Sequence, residues 1–599
     1  MPSSPLYWIP IIISFASALV LTPVVGVVAR RMGMVARPVA ERWHQKSTAM
    51  FGGIAIFFAV SVPIFLCVPQ TPHSWVVLVA SAFLFANGLI DDLLHIKPYQ
   101  KLIGQVLGAA LVVYYGLSLP WTQSAPLNMC ITIFWLIGIT NAINLLDNMD
   151  GLAAGIATIA AVFLTLSFAA NGQWTEASML AVFAAALLGF LVYNSHPASI
   201  FMGDCGSMFV GFFLAGASLL NATGGRSRSF LPVLAVPVLI LFIPIFDTTF
   251  VTILRKLSGR AASQGGRDHT SHRLVALGMS ERRAVWMLYG FAGLSGLLAL
   301  LVREVKLDVS LAAILGFTVL LVLLGVHLAG VKVYDEEEVR AAREKPLFAF
   351  LVDVSYKRRI FEVLLDVVLI ILAYYSAYAL WFGSVSENGA WRLFAQTLPV
   401  LVIIKLVTFL GMGVYRGLWR YTSVDDLVVI AKAVVLGSIA SVLVVLFTFR
   451  FAGFSRTVFV LDGLILLMML AGSRMTFRLF RKLLPTASRR GGRRVLIYGA
   501  GDGGELLLRE LLNNPEWQYA PIGFVDDDPL KKGTVIHGLR VFGGNGSLCG
   551  VCAAQGVEEV LISSSRFSEA RVSEIRRDCE QARVTLKRMR IQIEQLSDD

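Results

Sequence analysis

At 599 residues, with 56% hydrophobic and 15% charged side chains and a mean hydropathy of +0.70, the chain is too apolar for a water-soluble globular protein, where charged residues make up about 25%. Its net charge of +12 does not indicate nucleic acid, because the Lys and Arg residues flank apolar stretches, where they orient a membrane protein. Six cysteines are few for this length and Cys67, Cys130 and Cys205 lie in or beside apolar stretches, so no disulfide framework is indicated, and Cys549 and Cys552, a lone C-x-x-C, read as packing residues because no second pair completes a zinc site.

A membrane-crossing helix needs about 20 mostly apolar residues. About fifteen stretches meet this: 6–28, 52–69, 74–90, 102–117, 127–146, 151–169, 177–194, 205–221, 230–250, 285–302, 309–330, 361–382, 393–413, 427–449 and 457–473. The first has no basic segment before it and no small-residue cleavage site after it, so it is expected to be a retained helix. Charge and Pro346 break the pattern at 331–360, and "PTASRRGGRR" breaks it again at 485–494. The expected architecture is a polytopic α-helical membrane protein with a C-terminal α/β domain. Its parts are an eleven-helix region at 1–330, a charged linker at 331–360, a four-helix membrane region at 361–484 and a Rossmann-like domain at 490–599.

The basic clusters "ARRMGMVARPVAERWHQK", "RKLSGRAASQGGRDHTSHR", "YKRR" and "RMTFRLFRKLLPTASRRGGRR" fall after the first, ninth, eleventh and fifteenth stretches. Lys and Arg mark cytoplasmic loops, so the N-terminus is expected outside and the C-terminus inside. This orientation also brings five polar stretches to the cytoplasmic face: "IDDLLHIKPYQK", "NLLDNMDG", "SHPASIFMGDCGS", "FDTT" and "GRDHTSHR". Asn141, Asn144, Asp147 and Asn148 share one side of a helix, with Asp150 just beyond. Asp91, Asp92 and Asp147 sit at helix C-termini, where the helix dipole disfavours anions, so they need another partner. Clustered carboxylates without cysteine suit a hard cation such as magnesium. Lys46, Lys101, His269, His272 and Arg273 supply cations in the same loops. Acids for a metal and cations for phosphate oxygens together point to phosphoryl transfer.

"FGGIAIF", "GLIDDLLHIKPYQKLIGQ", "ITNAINLLDNMDGLAAG", "IFMGDCGS", "PIFDT" and "HTSHRL" occur in this order. In these stretches the chain resembles the polyprenyl-phosphate N-acetylhexosamine-1-phosphate transferases over about residues 5–330. The resemblance implies transfer of a sugar-1-phosphate from a UDP-linked amino sugar to undecaprenyl phosphate, with release of UMP. It implies magnesium as cofactor, with Mn2+ able to substitute, and a bacterial inner membrane with the site facing the cytoplasm. By the same resemblance, Asp91 and Asp92 match the paired acids near the lipid phosphate, and Asp92 and Asp204 are the expected metal-side residues. Asn144, Asp147 and Asp150 match the nucleotide-side motif, beside Asn141. Phe201 matches a position that stacks on uracil, and Lys46 and Lys101 match phosphate-contacting lysines. Two positions depart from the family pattern. Asn148 stands where D-G-x-D-G has its first glycine, and Ser271 stands where H-x-H-H has its middle histidine.

"RVLIYGAGDGGELLLRELL" reads as strand, glycine turn and helix, with Gly499, Gly501 and Gly504 as the G-x-G-x-x-G, and Asp526 follows 27 residues after Gly499. This favours a nucleotide ligand, NAD or a nucleotide sugar. The region from about 350 onward resembles the N-terminal half of membrane-bound nucleotide-sugar dehydratases. Tyr519 is the one tyrosine after Tyr498 and "APIG" follows it, so the tail carries no Y-x-x-x-K pair. A regulatory, substrate-holding or assembly role is expected for it, with a homodimer left open. An ion-coupled transporter is the rival reading, since intramembrane carboxylates also mark carriers.

Overall fold

The computed structural model describes residues 8–36, 48–69, 71–224, 230–257, 266, 268–304, 307–329, 331, 354–382, 390–415, 424–450, 454–483, 492–514, 517–543, 548–562 and 567–589. Lys46 and most of the linker expected at 331–360 lie outside the described residues. The chain divides into two compact units, Met1–Leu483 and Leu484–Asp599.

The first unit is helical: α1 (Trp8–Arg31), α2 (Gly52–Cys67), α3 (Pro72–Leu94), α4 (Pro98–Tyr114), α5 (Ala125–Leu146), α6 (Leu152–Ala170), α7 (Trp174–Asn194), α8 (Gly203–Gly224), α9 (Phe230–Ile240), α10 (Phe242–Leu257), α11 (Thr270–Ala276), α12 (Glu281–Glu304) and α13 (Leu307–Ala329). Then come α14 (Val354–Phe382), α15 (Ala390–Gly411), α16 (Val424–Phe449) and α17 (Arg456–Leu483). Among the described residues, 11 helices are long and apolar enough to cross a membrane. Of the other expected spans, 52–69 and 102–117 fall on shorter helices, 230–250 on a broken one, and 309–330 on α13. The stretch at 230–250 is two helices, α9 and α10. Pro244 has no N–H for the carbonyl of Ile240, so the helix is interrupted there.

Helix α8 is the centre of this unit. Its apolar window is 89% buried, against 22% for α1, and it packs against α2, α3 and α5. Glycines permit the approach: a Cβ on Gly53 would lie 2.2 Å from the Gly206 nitrogen, and one on Gly88 would lie 2.5 Å from the Asp204 carbonyl oxygen. Helix α3 starts with a reciprocal cap, in which Thr71 Oγ1 accepts from Ser74 N–H and Ser74 Oγ accepts from Thr71 N–H. It ends at His95, in left-handed conformation (φ 49°), which leaves Asp91 and Asp92 on its last turn. In the second group of helices, α14 packs on α15 and α17, and α16 packs on α15 and α17. Their interior holds two buried ion pairs, Lys405 with Asp462 and Arg474 with Asp366.

The second unit is an α/β sheet built from β3 (Arg493–Tyr498), β4 (Tyr519–Asp526), β5 (Val535–Ile536), β6 (Leu539–Gly543), β7 (Glu559–Ile562) and β8 (Thr585–Arg588). β1 (Val35–Ala36) and β2 (Thr48–Ala49) form a separate small ribbon in the first unit. Helices α18 (Asp502–Asn513), α19 (Leu548–Gln555) and α20 (Glu569–Gln581) connect the strands of the sheet. The strand order is β5-β6-β4-β3-β7-β8, parallel throughout except for the β5–β6 pair. Side chains alternate across β3. Leu496 and Tyr498 join the core with Leu548, Cys552 and Cys579, whereas Val495 and Ile497 join Leu507, Leu508 and Leu511 of α18. The β5–β6 hairpin and α19 carry no sequence signal strong enough to be expected beforehand.

Candidate functional site

Four helices deliver one polar cluster. Lys101, on the first turn of α4, places Nζ 3.0 Å from Asp91 Oδ2 and 3.0 Å from Asp204 Oδ2. Asn144, near the end of α5, donates through Nδ2 to Asp204 Oδ1 and to Ser207 Oγ, the latter at 2.7 Å. Its Oδ1 lies 3.4 Å from the Lys101 ammonium. The paired acids of α3 have different partners. Asp91 Oδ1 accepts from Ile96 N–H at 3.1 Å and its other oxygen faces Lys101. Asp92 accepts the N–H groups of Asp204 and Cys205, each at 2.9 Å, and so caps the N-terminus of α8.

Asn141 exchanges hydrogen bonds with Gln105, which fastens α4 to α5. Asp147 is the C-cap of α5. Phe201 is fixed by its backbone, with N–H to Ala49 O and carbonyl to Gly52 N–H. Asp150 accepts from His196 Nδ1 and from Ala198 N–H, both at 3.0 Å and both on Oδ2. Glu281 Oε2 approaches the same His196 nitrogen at 3.3 Å. Asp150, His196 and Glu281 are the one group of three metal-ligating side chains whose donor atoms lie within 4.8 Å of one another among the described residues.

The histidine segment forms a second, more buried layer. His269 Nδ1 lies 2.8 Å from Asp247 Oδ2, and Thr270 donates to Asp247 Oδ1 through both N–H and Oγ1. Arg255 and Asp268 form a buried pair. His272 is buried, and Arg273 donates to the carbonyls of Asp268, Leu328 and Val331. Arg273, expected to contact substrate, thus ties α11 to the end of α13. Ser271 Oγ donates to Asn148 Oδ1 at 2.8 Å. The two positions that depart from the family pattern therefore bond each other, across 123 residues of sequence. Glycine is not required at 148, because the left-handed turn falls at Gly151 (φ +74°).

Sequence reasoning did not single out His196, Ser207, Gln105, Glu281 or Asp247 as site residues. His196, Asp247 and Ser207 lie inside the polar stretches and Gln105 ends one of the ordered motifs, but Gln105 and Ser207 occupy helical positions that periodicity alone cannot distinguish from packing residues.

In the second unit the glycine turn has the geometry its spacing implies. Gly499 has φ +102°, and a Cβ on Gly504 would lie 1.9 Å from the Gly499 carbonyl oxygen. Asp526 ends β4 beside this turn and accepts from Ala500 N–H at 2.7 Å. Burial alone would raise the Asp526 carboxyl pKa. The N–H groups of Asp528 and Ala500 and the Lys531 ammonium outweigh burial and hold it below the usual carboxylate range. Arg571 bridges Asp527 and Tyr498 across the same edge. Cys549 and Cys552 are free thiols.

Residues 74–222 match the family described as Glycosyl transferase family 4, and residues 411–588 match the one described as CoA-binding domain. The chain is 34% identical over 310 residues to the probable undecaprenyl-phosphate N-acetylglucosaminyl 1-phosphate transferase of Bacillus subtilis, covering 50% of this chain and 86% of that protein. It is 34% identical over 314 residues to the decaprenyl-phosphate N-acetylglucosaminephosphotransferase of Mycobacterium leprae, covering 46% of this chain and 78% of that protein. It is 36% identical over 219 residues to the phospho-N-acetylmuramoyl-pentapeptide-transferase of Lactiplantibacillus plantarum, covering 32% of this chain and 68% of that protein.

Proposed function

This chain belongs to the polyprenyl-phosphate N-acetylhexosamine-1-phosphate transferases, a family of multi-pass membrane enzymes, and from that membership we propose that it transfers N-acetylglucosamine 1-phosphate from UDP-N-acetylglucosamine to undecaprenyl phosphate. An oxygen of the lipid phosphate attacks the phosphorus that bears the sugar. The bond from that phosphorus to the UMP oxygen breaks, and UMP leaves with the electron pair. The product is an undecaprenyl-diphosphate sugar that starts a cell-surface glycan. The lipid phosphate has its second pKa near ~6, so little base catalysis is needed. Positioning and charge neutralisation carry the reaction.

The observation that carries this reading is the Lys101 ammonium held between Asp91 and Asp204. It places one positive charge among converging carboxylates, where phosphate oxygens of two substrates must be brought together against their mutual repulsion. Magnesium fits the donors at this end of the helices, which are hard carboxylate oxygens, and two of them suffice for an ion that keeps waters and phosphate oxygens. Asp92 and Asp204 would hold it, and the ion would neutralise charge on the phosphoryl oxygens. Asn144 orients Asp204, and Asp92 fixes the first turn of α8 that carries it.

The site is proposed to face the cytoplasm of a bacterial inner membrane, with the N-terminus outside. The basic loops that follow α1 and α10 support this orientation. The second unit is proposed to be Rossmann-like and to sense or hold a nucleotide, NAD or a nucleotide sugar. Support comes from the strand order, which reverses between β3 and β7, since ligands of such sheets bind at that point.

Purified protein incubated with magnesium, undecaprenyl phosphate and radiolabelled UDP-sugars is expected to give lipid-extractable label and UMP from UDP-N-acetylglucosamine. Transfer from no donor, or full transfer by Asp204→Ala, would refute the reading.

A further inference from the structure

The loop after α5 is held in place by α12, an element that carries none of the sequence-predicted site residues. Tyr289 donates its hydroxyl to the Gly151 carbonyl at 2.6 Å, in space that exists only because Gly155 lacks a Cβ, which would lie 1.9 Å from that hydroxyl. Arg282 donates to the His196 carbonyl at 2.8 Å. Glu281, the first residue of α12, reaches His196 Nδ1. Three separate segments thus meet on one imidazole: the 147–151 loop through Asp150, the 195–198 loop through His196 itself, and α12 through Glu281.

The valence of this contact is informative. Nδ1 carries a single proton, and carboxylate oxygens stand 3.0 Å and 3.3 Å from it on opposite partners. The shorter contact goes to Asp150 Oδ2, which also accepts the Ala198 N–H. Two donors on one oxygen fix the carboxylate plane and leave Oδ1 as the oxygen available to a ligand. His196 is 36% exposed at its side chain and Asp150 18%, so the pair opens to solvent without being fully solvated.

We propose that His196 is a positioning residue for nucleotide-sugar binding, which it supports by donating Nδ1–H to Asp150 and turning the second Asp150 oxygen toward the donor substrate. Glu281 competes for the same proton and tempers that grip. The proposal rests on the reading of Asp150 as a donor-side residue of the transferase.

The test measures steady-state transfer by the full-length protein with UDP-N-acetylglucosamine and undecaprenyl phosphate, for His196→Ala, His196→Gln and His196→Asn. Asn places an amide N–H where Nδ1 stood, whereas Gln places it one bond further out. Hydrogen bonds to charged groups are strong enough that Ala and Gln should raise KM for the UDP-sugar about 10-fold. kcat and KM for the lipid should stay near wild type, His196→Asn should recover most of the donor KM, and Glu281→Gln should not raise it. Unchanged donor KM in the Ala and Gln variants, failure of Asn to rescue, or a joint fall in kcat and loss of lipid affinity would overturn the proposal. So would a second bound Mn2+ in wild type that His196→Ala removes, because the three side chains would then be a metal centre. Calorimetry of UDP-N-acetylglucosamine on the same variants reads the same ranking without turnover. If wild type binds the donor in that ranking but transfers nothing, the proposed reaction fails and the His196 assignment stands. If the ranking is absent, the assignment fails.

Discussion

Replacing Gly88 by Ala tests whether the close contact between α3 and α8 sets the site geometry. The new Cβ would stand 2.5 Å from the Asp204 carbonyl oxygen, 2.6 Å from Cys205 Cα and 2.8 Å from the Asp204 carbonyl carbon. All three are backbone atoms, so no side chain can rotate away, and ordinary contact begins at 3.4 Å. The helices must part by about 0.9 Å, because packed interiors hold no slack to absorb the overlap. The atoms pushed belong to the residues whose N–H groups Asp92 grips at 2.9 Å, and stretching those bonds by that amount carries them past hydrogen-bond length. Overpacking of this kind costs about 1–3 kcal/mol, part of it recovered from the helix preference of Ala over Gly, so the variant should still fold. A displacement of about 1 Å at a reacting centre costs on the order of 10²-fold in rate. Thermal unfolding in detergent and lipid-label transfer measure the two effects side by side. Gly138→Ala on α5, where a Cβ meets nothing within 4 Å, is the control and should keep full activity. Gly88→Ala retaining more than about a third of wild-type transfer would refute the reasoning.

Lys101→Met removes the cation shared by Asp91 and Asp204, and transfer should fall about 10²- to 10³-fold, the usual effect of losing one electrostatic stabiliser; near-normal activity in the same assay would show that Lys101 only balances charge in the resting protein. In a double-mutant cycle of Ser271→Ala and Asn148→Gly, thermal stability should show a coupling of about 0.5–3 kcal/mol, because the two side chains bond each other, and strict additivity would deny the link. Lys405→Met leaves Asp462 buried without its cation and should cost about 3–5 kcal/mol, whereas Lys405→Met with Asp462→Leu should recover most of it. Burial would raise the Glu559 carboxyl pKa, but Lys587 and Arg493 outweigh burial and hold it below its reference value of 4.5. Its folded-state pKa is therefore depressed, so its contribution is present above about pH 4.5 and is lost as pH falls through the lower folded value. Hydrogen exchange in β7, corrected for intrinsic rates, should show protection falling over that window in wild type and a flatter profile in Glu559→Gln.

Composition and hydropathy alone determine that this chain is a multi-pass membrane protein, because a helix that must satisfy its own backbone in lipid needs a run of apolar residues that no other requirement produces. The ordered acidic and histidine motifs were equally legible, and so were β3, the glycine turn and α18, where strand period, glycines and helix period follow in sequence. The break at Pro244 was locally encoded too, although hydropathy averaged over a window hides a single missing N–H. Long-range contact decided the rest. No local pattern states that Lys101 stands 3.0 Å from acids on both α3 and α8, since that depends on how closely glycines let those helices approach. The sequence shows Asn148 and Ser271 as two separate departures. Their hydrogen bond exists only because the fold brings residues 123 apart to within 2.8 Å. His196 looked like one polar residue in a loop until α12 arrived from another part of the chain to make it the meeting point of two carboxylates.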